Sequence, residues 1–336
     1  AGLRAGLVGA GAAAPYAFDA GALEARTISG REEGVFALIA ANYLSKRLQT
    51  TLAVTTDSLI GVLDLGGSST QVAAPPVVAA GDPLPAKLGR EHTFVRSFLN
   101  LGMERMRQRT YQRFVEGASE TQRGARAVGN PCAFYGYTEG EEVWRGTGEA
   151  ASCEIAVRSA LAEEQASCAV AREKEEAAEC LSGKPVPIPA GPKDRAKFFL
   201  ISGYLYVTDF ASWTLKNREG PKPPGLESGV PPMPTIKELR AAAEAVCAQP
   251  WGSLNATALD PKTKHGFTPP KKVPHRCFEI TYIVALLSAG YGFEEDARLF
   301  HIVEDIDGFE LEWTLGAFLH GAARKRSAED TPAQEL

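Results

Sequence analysis

The chain has 336 residues, 44% of them hydrophobic and 23% charged. These proportions are those of an ordinary globular protein and exclude disordered, collagen-like and coiled-coil chains. Its 36 Lys and Arg against 41 Asp and Glu give a formal charge of −5, which lacks the basic footprint of a nucleic-acid binder. A phosphate-bearing small molecule is not excluded, because backbone N–H groups hold phosphate without net positive charge.

Residues 1–26 are rich in Ala and Gly and carry little pattern. Ser29 and Glu32 then form a capping box, and Val35, Phe36, Ile39, Ala40, Tyr43 and Leu44 recur at helical spacing. A helix is therefore expected over 30–48. Residues 59–65 are a short apolar run ending in Gly66-Gly67-Ser68-Ser69-Thr70, which reads as a buried strand entering a tight turn. Gln71-Val72-Ala73 is the candidate returning strand, and Pro75-Pro76 ends it. Loops rich in Pro and Gly are expected at 75–90, 219–234 and 261–274, with helices at 103–117, 153–180, 236–247 and 278–289. Residues 165–182 read as a solvated helix face, and a last helix is expected from about Glu312. The mixture argues an α/β protein with sheets covered by helices. No apolar run approaches the roughly 18 residues of a spanning helix, and no leader-like segment stands at the front of the sequence as given.

Six cysteines, none in a CxxC pair, fit either disulfides or buried thiols. Asn255-Ala256-Thr257 is a glycosylation tripeptide, which favours the secretory route.

Two clusters carry chemistry. An apolar strand delivers Asp64 to its end, where a carboxylate can hold a divalent cation. Gly66 and Gly67 allow backbone N–H groups to approach phosphate oxygens closely, and Ser68, Ser69 and Thr70 add hydroxyls. The same Gly-Gly-Ser run also fits a plain β-turn. The second cluster is Glu32-Glu33 in the first turn of the capped helix. Carboxylates there complement the helix dipole. One of them facing the Gly-rich turn would also serve as base for a water attacking phosphorus.

Residues 28–36 with Ala41-Asn42-Tyr43-Leu44 resemble the third signature of the apyrase family, which comprises ecto-nucleoside triphosphate diphosphohydrolases and Golgi nucleoside diphosphatases. Residues 64–71 resemble the fourth, with Ser68 where Ala is usual. Ser97-Phe98-Leu99 with Gly102, Asn130-Pro131-Cys132, Gly146-Thr147-Gly148, Ser202-Gly203-Tyr204, Cys277-Phe278, Gly290-Tyr291-Gly292-Phe293 and Trp313-Thr314-Leu315-Gly316 continue the resemblance in order.

The resemblance implies an actin/hexokinase-like fold of two lobes and a nucleoside di- or triphosphate hydrolase using Ca²⁺ or Mg²⁺. It implies Glu33 as general base, with Ser69 and Gln71 positioning the attacking water. Asp64 would hold the cation through water, Trp313 would lie near the cation's water shell, and Gly66, Gly67 and Ser68 would cradle phosphate. Tyr206 and Tyr282 would sandwich the base, although each Tyr, like Trp313, also fits plain core packing. It implies disulfides Cys132–Cys168, Cys153–Cys180 and Cys247–Cys277, and hence a secretory (Golgi) lumen or the cell exterior. The family's first signature, an Asp-Ser-Gly-Ser type loop that completes the phosphate cradle, has no counterpart, and Ala1-Gly2-Leu3-Arg4 resembles the tail of the second. The expected organisation is thus a remnant of the first lobe at 1–29, the second lobe at 30–302, a return to the first at 303–325 and a tail at 326–336. The partners expected are nucleoside di- and triphosphates, with no nucleic acid and no membrane span in this chain. Two other readings are an inactive nucleotide-binding fragment and an exopolyphosphatase of the same superfamily.

Overall fold

The structure is a computed structural model. It describes residues 26–329 apart from 57, 77–82, 90–92, 126–127, 140–143, 175–178, 182–183, 190–195, 219–221 and 261. The Ala/Gly-rich start and the end of the expected 153–180 helix therefore fall partly or wholly outside the described residues.

A five-stranded sheet organises the chain, in the order β3-β2-β1-β6-β7. Its strands are β1 (Gly61–Leu65), β2 (Thr70–Ala74), β3 (Phe94–Phe98), β6 (Phe198–Ser202) and β7 (Phe300–Ile302). β1, β2 and β3 pair antiparallel, β1 and β2 through the short turn at 66–69, whereas β1, β6 and β7 pair parallel. Two small ribbons complete the strands. One pairs β4 (Val128–Asn130) with β5 (Trp144–Gly146), the other β8 (Asp305–Ile306) with β9 (Phe309–Glu310).

Successive strand residues point to opposite faces, and both faces are apolar. Val62, Ala73, Val95, Phe199 and Ile201 meet helix α1 (Gly30–Leu44) and the last helix, whose residues include Leu319. Leu63, Leu65, Val72, Phe98 and Leu200 face a larger core. That core is built by α2 (Met103–Glu116), α4 (Ala150–Lys174), α5 (Gly203–Asn217), α6 (Ile236–Cys247) and α8 (Arg276–Ala285). The short α3 (Glu120–Gly124) and α7 (Trp251–Leu259) lie between them in sequence, and α9 (Trp313–Glu329) ends the described chain. α1 is buried along nine consecutive residues, 34–42, because the sheet covers one side and α9 the other. Each fully buried Leu or Ile there stabilises by roughly 1.5–3 kcal/mol. Contact with α9 is close: a Cβ on Gly316 would lie 1.8 Å from the Phe36 carbonyl oxygen.

The capping box at Ser29 and Glu32 is formed from both sides. α1 stops at Leu44 rather than 48, because Lys46 takes a left-handed conformation (φ 60°) that ends the helical run. The expected strand at 59–65 begins at Gly61, and the expected helix at 278–289 starts at Arg276 and finishes in a π-turn, Leu286–Gly290.

Two of the three expected disulfides are corrected. The bonds are Cys132–Cys153, Cys168–Cys180 and Cys247–Cys277. Backbone hydrogen bonds from Thr147 to Asn130, Glu149 to Pro131 and Gly148 to Ala133 stitch the β4 exit against the start of α4. That stitching places Cys132 beside Cys153. Cys168 lies 15 helical residues further along α4, about 22 Å away at the helical rise, and cannot reach Cys132. No helix among the described residues is long and apolar enough to cross a membrane.

Candidate active site

The sheet register assembles the site. Asp64 on β1 pairs with Gln71 on β2, and Gln71 pairs with Ser97 on β3. These three polar residues form a row across the sheet on the side covered by α1, in line with Val62, Ala73 and Val95. The first turn of α1 lies over this row because two glycines let it. A Cβ on Gly30 would fall 2.0 Å from Ser97 Oγ, and one on Gly34 would fall 2.8 Å from Val95 Cγ1.

Glu33 comes down from that turn. The Gln71 side-chain amide donates to Glu33 Oε2 at 3.0 Å, to Ser69 Oγ at 3.0 Å and to Ser97 Oγ at 3.3 Å. Neighbouring glutamates are split by their surroundings. Glu32 is held down at about 2, first by its ion pair with Arg26 and then by the Ser29 backbone N–H. Glu33 is pushed above the ordinary carboxylate range, first by burial and then by the negative charge of Asp64. Divergent titration of adjacent carboxyls separates a structural group from a candidate base. Only 9% of Asp64 is exposed. Burial raises its carboxyl, while hydrogen bonds from Ser202 and the Leu65 backbone pull the other way.

The Gly-rich turn is fixed by its carbonyls. Met103 N–H donates to Gly66 O at 3.0 Å, Glu104 N–H to Gly67 O at 2.9 Å and Gly102 N–H to Ser68 O at 3.3 Å. The N-terminus of α2 thus holds the back of the turn. Such an approach needs Gly102, whose Cβ would lie 2.3 Å from the Ser68 carbonyl carbon. The exposed N–H groups of Gly67 and Ser68 meet no acceptor among the described residues. Outward amides in a turn are a phosphate nest.

The structure brings Glu33, Asp64, Ser69 and Gln71 together and sets the Gly66–Ser68 turn at their edge. It does not bring Tyr282 there. Tyr282 is fully buried, stacked on Phe278 at 5.7 Å, with its hydroxyl donated to Leu101 O at 2.5 Å. That residue is core, and its place as a base platform is withdrawn. Tyr206 is 37% exposed on α5 and faces Phe267 at 6.2 Å. Trp313 opens α9 and packs against the apolar cluster around α1.

Three participants were missed by sequence reasoning. Ser97 joins only through strand register. Ser202 closes β6 in a left-handed conformation (φ 56°) and hydrogen-bonds Asp64; a non-glycine residue held there is strained and marks functional sites. Lys272 reaches Glu104 Oε1 at 3.3 Å, beside Gly67. A serine before a glycine at a strand end was the available signal for Ser202. Nothing local announces Ser97 or Lys272.

Asp64 and Glu33 offer hard oxygen donors, and among the described residues no group of three or more His, Cys, Asp or Glu surrounds a metal position. The Asp64 carboxylate fits a divalent cation that takes its remaining oxygens from water and substrate phosphate.

A sheet whose central strand ends in a carboxylate and a Gly-rich turn, with a raised carboxyl above it, has the parts that a phosphate-handling site requires. Residues 8–330 match the GDA1/CD39 (nucleoside phosphatase) family, and the chain belongs to it. The nucleoside-diphosphatase mig-23 of Caenorhabditis briggsae is 23% identical over 88% of the chain and 54% of its own length. The ectonucleoside triphosphate diphosphohydrolase 2 of Gallus gallus is 26% identical over 91% and 60%. The chain thus spans a little over half the length of these relatives. Among solved structures, nucleoside triphosphate hydrolases from Neospora caninum share the fold at a TM-score of 0.54 and 16% identity, over 91% of the chain and 66% of theirs. Nucleotidases of this family depend on a divalent cation.

Proposed function

We propose that the protein releases the terminal phosphate of nucleoside di- and triphosphates. The observation that carries this is the hydrogen-bonded row Glu33–Gln71–Ser69 beside the outward amides of Gly67 and Ser68. Glu33, with its carboxyl raised by burial and by Asp64, removes a proton from water. Gln71 donates to Glu33 and Ser69 and so holds both at the same water position. The water oxygen bonds to the terminal phosphorus as the bond to the bridging oxygen breaks, leaving phosphate and the shorter nucleotide. Gly66, Gly67 and Ser68 hold the phosphate being cleaved. Asp64 would hold Ca²⁺ or Mg²⁺ through water. When bound, the cation neutralises charge on the phosphate oxygens.

Replacing Glu33 by Gln should lower phosphate release by about 10²–10⁴-fold while nucleotide binding persists. Release at the parent rate overturns the assignment of the base.

Several assignments accompany this reading. Residues 30–302 form the second lobe of a two-lobed enzyme, and 303–325 lead back toward the first. All six cysteines are in disulfides, which supports a secretory lumen or the cell exterior. Nucleotide binding without turnover is the second reading. A phosphate-release assay on the 336-residue chain decides between the two.

A further inference from the structure

Helix α5 carries a stripe of Tyr206, Asp209 and Trp213, spaced i, i+3 and i+7, so the three lie on one face. The loop after α7 docks on that stripe with every second residue. Trp213 Nε1 donates to the Thr263 carbonyl at 2.8 Å. His265 Nε2 meets Asp209 Oδ2 at 2.9 Å. Phe267 faces Tyr206 at 6.2 Å between ring centroids. Of residues 263–267 only His265 is buried.

His265 is the middle fastening. Its Nε2–H donates to the Asp209 carboxylate, and its Nδ1 shares a hydrogen bond with the Thr268 hydroxyl at 2.8 Å, which also accepts from Arg276 Nη2 at 2.8 Å. His265 is 6% exposed and lies edge-on to Phe210 and Trp213. Its ring is fixed by hydrogen bonds at both nitrogens and by aromatic packing.

The outer end of this zipper is unlike the rest. Phe267 is 47% exposed and Tyr206 37%. Past Phe267 the chain enters the 3-10 turn Pro270–His275, from which Lys272 reaches Glu104 beside Gly67. One continuous segment thus runs from the paired rings to the phosphate nest.

We propose that His265 is a positioning residue: by fastening residues 263–268 to α5 it sets Phe267 opposite Tyr206, so that the two rings grip the base of a bound nucleotide. This rests on the reading of Tyr206 as base-facing. Paired rings without a fixed hydrogen-bonding edge accept any base, since every base has a π-face.

The test measures binding of ADP and of inorganic pyrophosphate to the chain by titration calorimetry. Parent protein is compared with His265→Ala, His265→Gln, Asp209→Ala and Tyr206→Ala. The expected result is ADP binding weakened about tenfold by His265→Ala, Asp209→Ala and Tyr206→Ala, with pyrophosphate binding unchanged. His265→Gln keeps a donor toward Asp209 and should recover most of the ADP affinity. Should His265→Ala not fold, Asp209→Ala, at a half-exposed position, decides in its place. Weakened ADP binding in Tyr206→Ala with parent-like binding in His265→Ala and Asp209→Ala overturns the positioning role and leaves Tyr206 in place. Equal loss of ADP and pyrophosphate binding in His265→Ala shows a purely structural residue and overturns it as well. Parent-like ADP binding in all four variants, or a parent protein that binds ADP no better than pyrophosphate, overturns the reading of Tyr206 itself.

Discussion

Asn42 ties α1 to the start of β1, and its removal has a calculable cost. Its side chain is fully buried. Nδ2 donates to Ile60 O at 2.8 Å and to Leu38 O at 2.9 Å, and Oδ1 accepts from Ile60 N–H at 2.9 Å. One amide thus satisfies both backbone groups of the residue that leads into β1. In Asn42→Ala the Leu38 carbonyl keeps its helical partner, while the Ile60 N–H and C=O, 3% exposed, lose theirs. At about 1–3 kcal/mol for each buried unsatisfied group, the expected loss is about 4 kcal/mol. For a chain of this length that corresponds to a Tm lower by about 6 °C, read by urea and thermal unfolding. A loss below about 1 kcal/mol would refute the reasoning. Asn42→Asp sharpens the test. A buried carboxyl facing the Ile60 carbonyl has a raised pKa and can donate only when protonated. The folded state then binds more protons than the unfolded one, so stability is greatest below the unfolded carboxylate pKa and falls as pH rises through the raised one. A variant whose stability increases over that range contradicts the assigned donor.

Asp64→Asn should move the titration of Glu33 to lower pH. Burial is the larger cause of the raised Glu33 carboxyl, but the Asp64 charge adds to it, and removing a neighbouring negative charge favours ionisation. NMR titration of labelled glutamate in metal-free protein reads this directly; an unchanged or higher midpoint counts against the stated geometry. Non-reducing peptide mapping should recover Cys132 linked to Cys153 and Cys168 linked to Cys180. A peptide joining Cys132 to Cys168 would contradict the packing of α4.

The parts of the site that sequence made legible are those specified locally. The capping box places Glu32 and Glu33 in one helical turn, and an apolar run before Gly66-Gly67 marks a buried strand that presents Asp64. Which glutamate has the raised carboxyl was not local information. Arg26 and the cap engage Glu32, while burial and the charge of Asp64 act on Glu33. Ser97 enters through the β2–β3 register, across a connection that includes residues outside the described set. Tyr282 was the avoidable error. Tyr282 opens the uninterrupted apolar run 282–287, and a helical run apolar on every side belongs to a core. Two of the three cysteine pairs were misassigned because resemblance ignored helix length: Cys153 sits beside Cys132, so Cys168, 15 residues along the same helix, is out of reach.

What holds the site is tension between its charges and its scaffold. Glu33 and Asp64 are each raised by burial, and Asp64 raises Glu33 further. Their contribution to stability is therefore fully present below their unfolded values and is lost as pH rises through the raised ones. Ser202 adds a strained backbone to keep its hydroxyl on Asp64. The scaffold overrides these costs with interactions that tolerate little movement. Gly30 and Gly34 seat α1 against β3, Asn42 clamps its far end to Ile60, and Gly316 admits α9 against Phe36. A cation at Asp64 would relieve the same unfavourable charge that the scaffold contains. The carboxylates whose ionisation costs stability are therefore the ones that would favour a cation.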